Sequence, residues 1–193
     1  MNKKLLVVLT IYVLLIQILL IVSGAVYQWK SIIIILLSLF LVSGTIAYVR
    51  KRKYLKLLRH FKSKEYSSAI KIKVPFIIRG QKMQGYVAYM RAMSFLELGD
   101  LQQFIASANT IERADQQAEK QYLYLLYAIF TNNEKSIKEH LAAYQMCPQT
   151  ENKSALDKIV RLLEQKGNYA EEDMTFIRTI PFEAIQDLLL KNM

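Results

Sequence analysis

Two apolar runs near the start of the chain restrict its fold more than any other feature. Leu5–Val22 and Ile32–Val49 each hold eighteen residues without a charged side chain. As a helix with a rise of about 1.5 Å per residue, each run is about 27 Å long, close to the hydrocarbon thickness of a bilayer. The sequence therefore predicts two membrane-spanning helices, joined by the short connection Ser23–Ser31.

The charges that flank the runs predict their orientation. Lys3 and Lys4 precede the first run, Lys30 is the one charge in the connection, and Arg50-Lys51-Arg52-Lys53 follows the second run. Clusters of Lys and Arg stay on the cytoplasmic side of a membrane. We therefore expect an integral membrane protein with two spans and with both termini in the cytoplasm. The compact two-span design makes a bacterial cell membrane its expected location.

The first run has a second interpretation. The small residues Ser23-Gly24-Ala25 follow it, as at the cleavage site of a signal peptide. The run is longer than the usual apolar region of a signal peptide, which has about 7–15 residues. Whether the first span is ever cleaved stays open.

The positive charge of the chain is concentrated in residues 50–82. This segment carries twelve Lys or Arg and one acid, whereas residues 83–193 carry more acids than bases. A basic segment beside a membrane span attracts anionic lipid headgroups, although a protein surface stays an alternative. Nucleic acid is not an expected partner, because no recognition motif accompanies the charge. The cations that we expect to contact lipid are Arg50, Lys51, Arg52, Lys53, Lys56 and Arg59.

Four turn-like stretches recur at nearly constant spacing after the basic run. They begin at Lys64, Gly99, Asn132 and Gly167, which are 35, 33 and 35 residues apart. A glycine at such a turn can adopt the left-handed conformation that ends a helix. The residue that follows, such as Asp100, can cap the next helix. The spacing therefore predicts repeated pairs of helices.

This pattern resembles the tetratricopeptide repeat, a unit of about 34 residues that forms two helices. The second unit carries the resemblance best, with Ala92 at the family's small position and Phe95 at its aromatic position. The chain departs from the family at Phe104, Ile137 and Glu172, where an alanine is expected. The resemblance implies an all-α solenoid of about three to four helix pairs that binds other proteins.

The chain divides on these grounds into three parts: a two-helix anchor in residues 1–49, a basic segment with a degenerate first repeat in 50–82, and helical repeats in 83–193. Pro181 precedes an amphipathic segment at the end, which we expect to form a helix that caps the last repeat. The helices predicted after the spans are 50–63, 66–73, 83–98, 101–114, 117–131, 134–146, 152–166, 170–179 and 182–192.

The resemblance also implies a groove, lined by the first helix of each pair, for a peptide or helix of a partner protein. Tyr86, Tyr89 and Met93 share one helix face, and Tyr122 and Leu126 share a face in the next unit. Exposed aromatic residues suit this kind of recognition. The alternative, that these side chains pack between the repeats, stays open.

The sequence contains no motif for catalysis, for a cofactor or for a metal: no phosphate-binding glycine loop, no metal-spaced Cys/His cluster and no nucleophile elbow. We therefore expect a membrane-anchored, non-catalytic adaptor or assembly factor. One alternative is an accessory subunit of a larger membrane complex for transport, secretion or envelope assembly, which makes its contacts through the spans. Another is an enzyme whose site no motif reveals.

Overall fold

The structure is a computed structural model that describes residues 13–18, 29–75, 82–149, 151–165 and 169–191. All regular secondary structure in these ranges is helical, which confirms the all-α class. The chain divides into two compact units, Met1–Leu55 and Lys56–Met193.

The described residues of the first unit, 13–18 and 29–55, are helical. Residues 13–18 are helical, and helix α1, Trp29–Lys62, contains the second apolar run and most of the predicted helix 50–63. The hydroxyls of Ser38, Ser43 and Thr45 donate hydrogen bonds of 2.8–2.9 Å to backbone carbonyls one turn earlier. These polar residues are therefore satisfied inside the helix and need no outside partner.

The structure describes only part of the two predicted spans. Most of Leu5–Val22 lies outside the described residues, and so do the side chains of Ile32 and Ile34 in the second run. Within the part of the chain that is described, no helix has a stretch both long enough and apolar enough to cross a membrane.

The described part of the second unit contains short helices: α2 Tyr66–Ala69, α3 Lys82–Glu97, α4 Leu101–Ala108, α5 Gln117–Phe130, α6 Glu134–Gln145, α7 Glu151–Gln165, α8 Glu171–Thr179 and α9 Glu183–Lys191, with a 3₁₀ turn at Ala114–Gln116 before α5. Two neighbouring pairs pack closely, α3 against α4 and α5 against α6, and α5 also contacts α3, α4 and α7. The last helix, α9, contacts α8 and returns to α3.

One turn geometry recurs at the predicted repeat positions. Lys64, Gly99 and Asn132 adopt φ angles of 57°, 74° and 51°, in the left-handed region. In all three turns the next residue donates its amide to the carbonyl five residues earlier, at 2.9 Å. This is the Schellman pattern, which satisfies the last carbonyls of a helix. The fourth predicted turn, at Gly167, lies outside the described residues.

The helices that follow two of these turns are capped by side chains. The carboxylate of Asp100 accepts a hydrogen bond of 3.0 Å from the amide of Gln103. The side chain of Asn133 accepts one of 3.1 Å from the amide of Ser136. Each cap satisfies an amide that has no partner inside its helix. The cap predicted at Asp100 is confirmed.

Two predicted helices are shorter in the structure. The segment predicted at 66–73 forms a single turn, Tyr66–Ala69. The helix predicted at 101–114 ends at Ala108. There Thr110 donates its hydroxyl to the carbonyl of Ser107 at 2.7 Å, which favours a turn over another helical residue.

A glycine in α3 allows a buried amide to pack against the helix. The side chain of Gln116, which is 2% exposed, lies where a Cβ on Gly85 would be, and its Nε2 donates to the carbonyl of Lys82 at 3.1 Å. A side chain at Gly85 would therefore displace this amide.

We expect Gly85→Ala to lower the free energy of unfolding by about 1–2 kcal/mol, because the clash and the lost hydrogen bond outweigh the better helix propensity of alanine. Denaturant unfolding of the full chain in detergent micelles, followed by circular dichroism, measures the change. Adding Gln116→Ala removes the clash, so the double variant should be more stable than Gly85→Ala alone. If the single variant is as stable as the wild type, this packing is not tight.

Candidate interaction surfaces

The predicted lipid-contact cations lie on α1. Lys51, Arg52, Lys56 and Arg59 are exposed, whereas Arg50 and Lys53 are half-buried. Arg52, Lys56 and Arg59 follow the spacing of one helix face. No acidic residue occurs in α1 to neutralise them. Lys51 lies about 100° around the helix from Arg52. The four exposed cations Lys51, Arg52, Lys56 and Arg59 together form a broad positive surface, here called the basic face.

The part of α1 before these cations exposes large apolar side chains. The exposed fraction is 74% for Phe40, 68% for Leu41 and 65% for Tyr48. Beside Gly44 the surface has a shallow notch, lined by these three residues, Gly44 and Thr45. An exposed apolar surface of this kind is typical of contact with lipid or with another protein.

The five predicted groove residues differ in their exposure. Met93, Tyr122 and Leu126 are buried, with at most 1% of each side chain exposed. Tyr86 and Tyr89 are half-buried. Met93, Tyr122 and Leu126 belong to one buried hydrophobic cluster, against which Tyr89 packs. This burial favours the alternative in which these side chains pack between helices.

Burial also affects the tyrosine hydroxyls of this cluster. It raises the pKa of Tyr89, with a smaller effect from the carboxylate of Glu119, and it raises the pKa of Tyr122 well above the usual value. Both hydroxyls therefore stay protonated at physiological pH, as neutral hydrogen-bonding groups.

The last helix, α9, contributes to the same hydrophobic core as the buried residues of the predicted groove. Ile185 and Leu189 of α9 are fully buried, in the same cluster as Met93, Tyr122 and Leu126. The helix contacts α8 and also α3, and the contact with α3 was not predicted.

A carboxylate of α3 caps the start of α9. Glu97 accepts hydrogen bonds from the backbone amides of Glu183, at 3.2 Å, and Ala184, at 3.1 Å. The sequence analysis did not identify Glu97. A signal was present, because a carboxylate in the last turn of a helix opposes the helix dipole and therefore suggests a partner elsewhere.

Residues near the first turn also hold the segment before α9. The rings of Phe61 and Phe182 lie 5.8 Å apart, and the hydroxyl of Tyr66 donates to the carbonyl of Pro181 at 3.4 Å. Lys64 Nζ lies 3.9 Å from the carboxylate of Glu183. At the other end of α9, the Tyr169 hydroxyl lies 3.3 Å from the carbonyl of Leu189. We call Phe61, Lys64, Glu97 and Tyr169 the α9-binding surface.

We expect Glu97→Ala to lower the free energy of unfolding by about 0.5–2 kcal/mol, the usual cost of a lost helix cap. Glu97→Gln keeps one oxygen as an acceptor and should lose less. Burial raises the pKa of Glu97, with a smaller effect from Glu183. The folded state therefore holds this proton more tightly than the unfolded state, whose pKa is about 4.3.

The wild type should consequently gain stability relative to Glu97→Gln as the pH falls through the raised folded pKa towards the unfolded value. Denaturant unfolding of the wild type and both variants at neutral and acidic pH measures these effects. Equal stability of Glu97→Ala and the wild type at neutral pH would show that the cap contributes nothing.

A polar cluster connects α6 with α7. Tyr144 donates its hydroxyl to the carboxylate of Asp157 at 2.8 Å and lies 3.1 Å from the carbonyl of Lys153. Gln149 donates to the other carboxylate oxygen of Asp157 at 3.0 Å. The hydrogen bond from Gln149, followed by that from Tyr144, lowers the pKa of Asp157. These bonds explain the cluster as a structural link between helices.

The other potentially reactive side chains that the structure describes are Cys147, His60 and His140. Cys147 is half-buried, and burial raises the pKa of its thiol, which disfavours the reactive thiolate. His60 lies 2.6 Å from Glu65, and His140 lies 3.1 Å from Gln121. Among the described residues, no group of three His, Cys, Asp or Glu side chains is placed to hold a metal ion.

No protein-family model, curated protein or solved structure matches the chain. An interpretation of its function therefore rests on the residues and the geometry described above.

Proposed function

We propose that the chain is a membrane-anchored, non-catalytic adaptor or assembly factor. Two spans, about residues 5–22 and 32–49, hold it in the membrane, and a tetratricopeptide-like helical domain lies on the cytoplasmic side. The domain holds a protein partner near the membrane, and the basic face contacts anionic lipid headgroups. The protein needs no cofactor or metal for this role.

The observation that carries the membrane anchor is the surface of α1. Phe40, Leu41 and Tyr48 expose most of their apolar surface, which in water is unfavourable by about 25 cal/mol per Å². Lipid around this part of the helix removes that cost. After this apolar surface, exposed cations begin at Lys51 and Arg52. A membrane helix typically carries such cations where it passes from the hydrocarbon to the headgroups.

The recurring turn supports the helical-repeat domain. Lys64, Gly99 and Asn132 share one backbone geometry although their side chains differ. The common feature is thus the local structure of a repeated unit, at spacings of 35 and 33 residues. Stacked helix pairs expose extended surfaces, which such repeats use to bind other proteins.

The second candidate function, an accessory subunit that makes its contacts through the spans, is favoured by the notch beside Gly44. A Cβ at Gly44 would meet no atom within 4 Å, so the helix has room there for the side chain of another helix. Small residues of this kind allow close helix packing in membranes.

Exchange of the anchor distinguishes the two functions. Residues 1–49 are replaced by an unrelated two-span hairpin of the same orientation, and residues 50–193 are kept. The wild-type chain and the chain with the foreign anchor are each purified in mild detergent, and the proteins bound to each are identified by mass spectrometry. A partner retained with the foreign anchor supports the adaptor. A partner lost with the foreign anchor, while the domain stays folded, supports the accessory subunit and contradicts the adaptor.

A further inference from the structure

A pocket lies on α3 and α4, beside the segment that follows α2. Its volume is about 310 Å³, at the lower end of the range for small-molecule sites. Gln84 and Arg91 of α3 line it from one helix face, and Gln103 and Ser107 line it from α4. Val74, which follows α2, also borders it. The pocket therefore brings together three parts of the chain.

The early end of α2 gives Arg91 a fixed position beside this pocket. Helix α2 ends at Ala69, and Ile70 follows as its cap. The carbonyl of Ile70 accepts a hydrogen bond of 3.2 Å from Arg91 Nη2. One nitrogen of the guanidinium is thus bound to the backbone, and the group is held where it lines the pocket.

Another nitrogen of Arg91 is left without a partner. Its Nε is buried, and no described residue accepts a hydrogen bond from it. Buried donors in proteins nearly always have a partner, because an unsatisfied donor costs free energy. The ion pairs formed within the described ranges do not include Arg91 either. Arg91 therefore brings an uncompensated charge and an unused donor to the pocket.

The surroundings of the pocket favour a negatively charged ligand. Arg91 is the only charged side chain among the described residues that line it. Val74 directly follows Lys73, and both Lys71 and Lys73 are exposed. Positive charge in a concave site attracts anions. The other polar side chains of the lining carry amide or hydroxyl groups that can donate to an anion: Gln84, Gln103, Ser107 and Thr110.

An apolar part of the lining narrows the choice of anion. Val74, Val87 and Phe95 border the same pocket as Arg91. A ligand that suits both parts has one anionic group and a small apolar body. The planar fork of a guanidinium matches a carboxylate group. One guanidinium compensates the single charge of a carboxylate, whereas a phosphate dianion needs a second cation.

We propose that this pocket binds a small organic monocarboxylate. The carboxylate lies against Arg91, and the apolar body lies against Val74, Val87 and Phe95. Bound in this way, the ligand supplies the acceptor and the negative charge that Arg91 lacks. It also connects the segment after α2 with the α3–α4 pair. This site is additional to the proposed adaptor function and does not depend on it.

The probes for a test are butyrate, hexanoate and benzoate, titrated into the full chain in neutral detergent micelles and followed by calorimetry. We expect at least one of them to bind with a dissociation constant of about 1 mM, as is usual for ligands of this size. Arg91→Gln should weaken this binding by about tenfold or more, because a hydrogen bond to a charged group is lost. Benzamide, which keeps the ring of benzoate but carries no charge, should bind more weakly than benzoate by a similar factor.

Arg178→Gln is the matched control. Arg178 is exposed on α8 and does not line the pocket, so this variant loses the same charge elsewhere on the domain. Its affinity for the carboxylates should equal that of the wild type. Uptake of the probes by the micelles is the same for both variants and cancels in the comparison.

A folded Arg91→Gln variant that binds the carboxylates as well as Arg178→Gln does would overturn the proposal. So would a wild type that binds none of the three probes. If Arg91→Gln does not fold, Ala106→Leu replaces it. Ala106 is exposed and lines the pocket, so the larger side chain should fill the pocket and abolish binding while Arg91 stays in place.

Two further titrations test other anions as the ligand. Inorganic phosphate that binds more tightly than every carboxylate would overturn the assignment to a monocarboxylate. An N-acetylated tripeptide with a free carboxyl terminus tests the end of a partner chain, and binding of this peptide but of none of the small probes would also overturn it. These titrations use the purified chain alone, so their outcome is independent of the anchor exchange that tests the adaptor function.

Discussion

Replacement of Tyr122 by alanine should lower the free energy of unfolding by about 3–5 kcal/mol, as expected for truncation of a large, fully buried aromatic side chain. Tyr122 is 1% exposed, in the cluster that also contains Met93 and Leu126. Denaturant unfolding of the full chain in micelles, followed by circular dichroism, measures the loss.

Tyr86→Ala is the matched control. Tyr86 lies on the same predicted groove face but is half-buried, with Lys82 Nζ 5.9 Å from the centre of its ring. Its replacement should cost about 1 kcal/mol or less. If Tyr122→Ala is as stable as Tyr86→Ala, Tyr122 is accessible. Tyr122 would then again be a candidate for direct contact with a partner.

Neutralisation of the basic face should greatly weaken its attraction for anionic lipid. Each cation near a membrane surface contributes about 1 kcal/mol, or about fivefold in affinity. The replacement of Lys51, Arg52, Lys56 and Arg59 by glutamine should therefore lower the affinity by roughly 600-fold in total. The full chain in neutral detergent micelles, titrated with fluorescent phosphatidylglycerol, provides the measurement.

The control for a general loss of charge is the replacement of Lys135 and Lys138 by glutamine. Both lysines are exposed and lie on α6. This control should change the affinity little. The difference between the two variants should decrease at high salt, because ions screen exposed charges. Equal affinities at low salt would contradict a role of the basic face and would leave a protein surface as its partner.

The sequence predicted the local features of the fold well, because they depend on neighbouring residues. The turn at Gly99 follows from the conformational freedom of glycine, and the cap at Asp100 from its short carboxylate. The left-handed turn at Lys64 was located only by its spacing from Gly99, since a lysine at such a position gives no signal by itself.

The return of α9 to α3 could not be predicted in the same way. Its amphipathic pattern indicates that one face is buried, but not which helix covers that face. The amides that donate hydrogen bonds to Glu97 belong to Glu183 and Ala184, which lie 86 and 87 positions further along the chain. The tyrosine spacing likewise placed Tyr89 and Met93 on one face, but could not show that Met93 is fully buried.

The central claim, a membrane anchor with the helical domain inside the cell, is tested most directly by cysteine labelling in intact cells. In a Cys147→Ser chain, single cysteines replace Gln28, in the predicted external connection, and Met146, which is 87% exposed. A membrane-impermeant maleimide should label position 28 in intact cells and position 146 only after permeabilisation. Labelling of position 146 in intact cells, or of neither position before permeabilisation, would contradict the account.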